Sequence, residues 1–350
     1  MRKLASIQTI WEINPIAEAD RIEAASVLGW KCVVKKGEFR KGDLCVYFEV
    51  DSFLPETPEF EFLRSSCYKE NELNGKGFLL KTRSFKGQIS QGLVLPLSIL
   101  KDITPADGIS WKNGDDVTKL LNIKKWEIAE IATGSGRVIG DFPYGIPKTD
   151  EIRVQAEPAL IDEFKDLPYY ISTKMDGTSV TMYLIDGRFG VCSRNYEIGD
   201  DDTSPAWRFV HKNSIEDKIR KGAKALGIDN IAVQGEFCGE GIQRNPLRLV
   251  TPHWYVFTLR DVNSSKRLGL DKMRAFIEAS GLDMVPIEET GPSLPYKTVD
   301  QLIERAKGKY HCGNNKEGIV IRPIEPVYSK ILEGPLSMKV INNDYLLKQK

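Results

Sequence analysis

Five strand-length runs fill the first third of the chain: LASIQTIWEI from Leu4, then GWKCVVKKG, GDLCVYFEV, GFLLKTRSF and ISQGLVLPL, each bounded by Gly, Pro or charged residues. Short strands joined by turns must pair with one another, and five of them suit a small barrel. The five-stranded OB-type barrel has about this size. Its usual ligands are oligonucleotides lying across one face, although such barrels also serve as passive scaffolds. Residues 1–125 are therefore expected to form an OB-like domain.

The whole chain has 350 residues, more than one core usually organises, so two domains are expected. Lysine plus arginine equals aspartate plus glutamate at 49 each, and net charge gives no pointer to a polyanion. Any nucleic-acid contact has to come from local patches. Lys31, Lys35, Lys36, Arg40 and Lys41 form one, and Lys81, Arg83 and Lys86 around Phe85 form another. Such lysines either solubilise a sheet or grip phosphates. With 41% hydrophobic and 28% charged residues and only short apolar runs, the composition is that of an ordinary soluble chain, and a cytoplasmic monomer is expected. The segment MRKLASIQTIWEI meets Gln8 and Glu12 too early for a targeting core and reads as a first strand. Six scattered cysteines without a C-x-x-C pair, and three histidines, argue against a zinc site or a disulfide framework.

Residues 126–146, within a Gly- and Pro-rich stretch, read as a linker. Gly134-Ser135-Gly136 with Gly140 has the wrong spacing for a dinucleotide fingerprint. From 147 to 350 the pattern is mixed α/β: a short helix near 159–164, strands near 168–174, 179–185 and 188–193, and one helix over 206–225. Strands follow near 231–237 and 254–261, with helices near 270–280 and 298–308. The expected class is α+β, a barrel followed by a domain of antiparallel sheets.

Five features punctuate this second half in order: Lys174-Met175-Asp176-Gly177 after a strand, Ser193-Arg194-Asn195, Gly235-Glu236-Phe237, Glu317-Gly318-Ile319-Val320-Ile321-Arg322, and Ser337-Met338-Lys339-Val340. Together they resemble the covalent nucleotidyltransferase superfamily of ATP-dependent ligases and capping enzymes. The barrel-first order and the stretch Pro147–Gln155 are similar to the RNA ligase 5 family, whose members seal RNA nicks. DNA ligases and capping-type guanylyltransferases usually carry the barrel last. They stay as alternatives, beside a non-catalytic nucleic-acid binder.

The resemblance implies ATP as substrate, Mg2+ or Mn2+ as metal, and RNA with a 3'-OH/5'-phosphate break as partner. Lys174 is then the AMP acceptor. An ordinary lysine, with a pKa of about 10.4, is protonated at neutral pH, so burial or neighbouring cations are expected to lower it. Asp176, Glu236 and Glu317 are the metal-side candidates; Arg194, Lys339 and Arg153 are the phosphate- or ribose-side ones. Phe257 is the expected adenine-stacking partner, with Val320 or Ile319 on the other face. The family's last motif usually has a K-x-K pair, but Lys339 is flanked two positions away by Ser337 and Ile341, leaving Lys330 or Lys348 as substitutes.

Overall fold

A computed structural model describes residues 2–101, 103–105, 108, 110–127 and 136–348. Gly134 and Ser135 lie outside the described residues. The chain divides into two compact units: Met1–Ile128 with Gln155–Pro158 and Leu346–Lys350, and Ala129–Val154 with Ala159–Tyr345.

The first unit is built on an antiparallel sheet of five strands, in the order Leu93–Pro96, Leu44–Phe48, Ala5–Pro15, Ile22–Val27, Trp30–Lys35. A second sheet orders Lys124–Lys125, Ser52–Pro55, Gly75–Leu79 and Tyr68–Asn71. Ala5–Pro15 serves two neighbours, pairing Leu44–Phe48 through residues 5–9 and Ile22–Val27 through residues 10–15, the latter with a register shift between Ile10 and Glu12. Ile7, Val46, Phe48, Leu54 and Phe78 are buried on one side, and Ile10, Val27, Trp30 and Tyr47 on another. Two expectations need correction. Ile22–Val27 is a strand of the main sheet although IEAASV has little β-branched character. The GFLLKTRSF run splits between Gly75–Leu79, in the second sheet, and a separate hairpin of Arg83–Phe85 with Gln88–Ser90.

In the second unit a large sheet runs Val138–Asp141, Tyr196–Ile198, Arg188–Cys192, Thr178–Ile185, Ile231–Cys238, His253–Asp261, Lys266–Arg267, with Asp283–Met284 beside His253–Asp261. Val138–Asp141 falls inside the stretch expected to be a connection. One face of this sheet is covered by helices Pro205–Asn213, Ile215–Leu226 and Leu270–Ser280, which bury Trp207, Ile219 and Phe276 against Met182 and Val233. The single helix expected over 206–225 is two, because Ser214 turns left-handed at φ 50°.

A smaller antiparallel sheet orders Ile287–Gly291, Tyr169–Lys174, Gly318–Pro323 and Met338–Ile341. Its outer face, with Tyr169, Ile171, Ile319 and Ile321, is buried under Leu160–Glu163 and the residues of Val299–Arg305. Strand alternation leaves Tyr170, Ser172 and Lys174 on the other face. In this register Lys174 pairs with Gly318, and Val320 pairs with both Ser172 and Lys339. Among the described residues no helix is long and apolar enough to cross a membrane. All six cysteines are free; Cys67 and Cys312 are partly exposed and the other four buried.

Candidate active site

Lys174 is the last residue of its strand, and two glycines shape the backbone beside it. Gly318, directly opposite, has φ +155°, and a side chain there would overlap the Val340 carbonyl; one at Gly177 would overlap the Phe237 carbonyl. Both positions therefore require glycine for close backbone approach. Lys174 Nζ lies 2.7 Å from Glu317 Oε2. Glu236 Oε1 accepts from the Gly177 amide at 3.1 Å, and Asp176 Oδ2 accepts from the Tyr345 hydroxyl. The structure thus brings Lys174, Asp176, Glu236 and Glu317 together.

The electrostatics correct one expectation. Burial disfavours the Lys174 ammonium, but the Glu317, Glu236 and Asp176 carboxylates outweigh it and hold the amine above the ordinary lysine range. The strain falls on the acids. Burial and the neighbouring Glu317 push the Glu236 carboxyl up to about 7, against the pull of Lys174, and raise Asp176 as well. Lys339, rather than Lys174, has its pKa lowered, to about 8, through burial and then the Lys174 and Arg153 charges. Arg153 reaches it because residues 152–154 run beside the last strand: Lys339 N donates to Ile152 O at 2.8 Å and Val154 N to Lys339 O at 3.0 Å.

The remaining expected residues lie around this centre. Arg194 is half-exposed and donates to Asp150 at 2.6 Å, so it is tied to the 147–151 segment rather than to the carboxylate group. Phe257 is half-buried on His253–Asp261, its carbonyl accepting from Arg322, whose guanidinium carbon sits 5.9 Å from the Phe257 ring centroid. Val320 shares the Lys174 face and is half-buried, whereas Ile319 is wholly enclosed in the outer core and offers no surface to a ligand. Ser337 donates to Glu151, which Arg322 also pairs with, so that position holds a buried carboxylate in place. Lys330 is exposed.

Sequence reasoning missed two tyrosines. Tyr345 contacts Asp176, and Tyr310 Oη donates to the Lys174 carbonyl at 2.8 Å while accepting from the Glu317 amide at 3.0 Å. No motif marks either, since each acts on partners more than a hundred residues away or through a backbone atom.

Among the described residues no three acidic, His or Cys side chains converge tightly enough to chelate a metal directly. The donor set is nonetheless hard oxygen: Glu236 and Asp176, raised first by burial and then by the nearby Glu317 carboxylate, stand with Glu317 as oxygen donors that suit a hydrated divalent cation.

An OB-fold domain model matches residues 4–97, and an RNA ligase model matches residues 167–341. No curated protein matches the sequence significantly. Among solved structures, Naegleria gruberi RNA ligase with PPi is 35% identical, with a TM-score of 0.87, covering 100% of this chain and 99% of that one. A lysine-to-alanine mutant of that ligase with ATP and Mn is 34% identical, with a TM-score of 0.87 and 99% of each chain covered. A glutamate-to-alanine mutant with AMP and Mn is 34% identical, with a TM-score of 0.86 and 99% of each chain covered. With its site geometry and full-length similarity pointing the same way, the chain belongs to the RNA ligase family.

Proposed function

We propose that this ligase seals 3'-OH/5'-phosphate breaks in RNA, chiefly nicks in duplexes, using ATP and passing through a lysyl-AMP intermediate. The observation that carries the reading is the Lys174 amine at a strand end, 2.7 Å from Glu317 and flanked by Asp176 and Glu236. Lys174 Nζ attacks the α-phosphate of ATP and pyrophosphate leaves. The AMP then passes to the RNA 5'-phosphate, and the 3'-hydroxyl attacks that activated end with release of AMP. Support also comes from the relatives, which hold ATP, AMP and PPi.

The chain's own residues divide the work. Glu317 Oε2 orients the Lys174 amine and is the nearest acceptor for the proton that must leave before attack. Lys339 and Arg153 offer positive charge to phosphate oxygens, with Arg194 at the more exposed 193–195 turn. Phe257 and Val320 supply the apolar surfaces for adenine. Asp176, Glu236 and Glu317 would hold Mg2+ or Mn2+, largely through water, where it would neutralise charge on the triphosphate. Residues 1–125 grip the nucleic acid, with Lys35, Lys36, Arg40, Lys41, Arg83, Phe85 and Lys86 all exposed on that unit.

Incubation with α-labelled ATP and Mg2+ is expected to label the protein, and Lys174→Ala to abolish the label. An alanine variant that still takes label, or a parent that never does, sinks the nucleophile assignment. Replacing Lys35, Lys36, Arg83 and Lys86 with alanine should weaken nicked-duplex binding and flatten its salt dependence while self-labelling persists.

A further inference from the structure

The chemistry assigned to Lys174 and Glu317 requires two side chains, from segments far apart in sequence, to meet with sub-ångström precision. Their own ion pair does not supply this, because both side chains can swing. The backbones beneath them are held by the ladder that pairs Lys174 with Gly318 and, at the ladder's end, by a third residue. Tyr310 Oη donates to the carbonyl of Lys174 at 2.8 Å and accepts the amide of Glu317 at 3.0 Å, so one hydroxyl joins the main chain of both partners.

Everything around that hydroxyl is itself held. The Tyr310 amide donates to Asn314 O at 2.8 Å, and Lys309 and Asn315 form a β-bridge that closes the turn. Asn314 Nδ2 donates to Pro246 O at 2.8 Å, anchoring the turn to a neighbouring loop. Tyr310 is 9% exposed and packs with Met175, Cys238, Leu247 and Val285. On its far side Glu317 is also secured: Asn342 N donates to Glu317 O at 2.9 Å, and Asn342 Nδ2 to Lys316 O at 3.0 Å. Glu317 therefore has both peptide groups fixed; the strand ladder joins Lys174 to the neighbouring Gly318, and Tyr310 adds a side-chain bridge where that ladder ends, from the Lys174 carbonyl to the Glu317 amide itself.

We infer that Tyr310 is a positioning residue for the first step of ligation, its hydroxyl pinning the end of the strand ladder where the nucleophile and Glu317 emerge. The inference rests on Lys174 being the AMP acceptor as proposed above. It separates the steps of the reaction. Formation of lysyl-AMP needs Lys174 aligned, whereas joining a strand already carrying 5'-AMP does not use that amine as nucleophile.

The test is Tyr310→Phe in the full chain, which keeps the ring and removes the bridge. Single-turnover labelling with α-labelled ATP and Mg2+ is compared with sealing, without ATP, of a nicked duplex whose 5' end is chemically adenylylated. Labelling should slow by roughly 10- to 100-fold, the cost of a small misalignment of reacting groups, with the KM for ATP and the sealing rate each within about threefold of the parent. Equal slowing of both steps, unchanged labelling, or a variant unfolded at the assay temperature would each overturn it, since the hydroxyl would then serve the fold or nothing. A parent that takes no label overturns the assignment of Lys174 and this inference with it; a labelled parent matched by its phenylalanine variant overturns the inference alone.

Discussion

Two charged networks lie on opposite faces of the strand Tyr169–Lys174, one residue out of step. On the cleft face Lys174 meets Glu317, Glu236 and Asp176. On the other, Thr173 donates to Glu288 at 2.8 Å, Lys316 reaches both Glu288 oxygens at 2.6 and 2.7 Å, and Arg305 bonds Glu288 and Glu289, each at 2.8 Å. The acids behave oppositely in the two places. Hydrogen bonds from Lys316, Arg305 and Thr173 overcome burial and bring Glu288 below its usual range, and Tyr169, Arg305 and Tyr296 do the same for Glu289. In the cleft, burial and mutual repulsion win, and Glu236 and Asp176 rise. A network whose acids are matched by cations holds strands together. One whose acids are left short of cations is arranged for something that arrives later.

Substitutions should separate the two. Glu317→Gln removes the charge beside Lys174 and is expected to cut self-adenylylation by about 10³-fold, with thermal unfolding shifted little. Next in size, Glu288→Ala leaves the buried Lys316 ammonium without its partner, while Arg305 keeps Glu289, and is expected to cost about 3 kcal/mol in denaturant unfolding. If that variant instead kept its stability and lost only labelling, the contrast between the faces would collapse. A third test uses pH in the presence of a chelator. Because the folded Glu236 carboxyl sits near 7, above its unfolded value, the stability it contributes is full below about pH 4.5 and is lost as pH rises through 7. Melting temperature should fall across that window, Glu236→Gln should flatten the slope, and added Mg2+ should raise stability most at the alkaline end. Smallest is Arg194→Ala: its pair with Asp150 is half-exposed, so stability should change by less than about 1 kcal/mol, and any larger effect should appear in nucleotide or RNA handling.

Much of this site was legible before the fold. Lys174, Asp176, Glu236 and Glu317 stand in short motifs at strand ends, and strand ends are where chemistry-bearing side chains converge. The sign of the Lys174 shift was not legible, because it depends on a carboxylate 143 residues away lying at hydrogen-bond distance. The helix break at Ser214 carried no Gly or Pro to announce it, since a left-handed serine is set by tertiary packing. Ile22–Val27 escaped for the converse reason: its alanines fit a crowded sheet interior but lack the β-branched signature. Val320 and Ile319 were indistinguishable as neighbours in an apolar run until the strand's pleat sent one to the cleft and the other to the core.

The thiol inventory also has a practical use. Buried Cys32, Cys45, Cys192 and Cys238 are pushed up in pKa by burial and are poor nucleophiles, whereas Cys67 and Cys312 are partly exposed. One of these belongs to each compact unit. A maleimide dye pair should therefore mark the wild-type chain at one point per unit, which gives each unit its own reporter without any engineered cysteine.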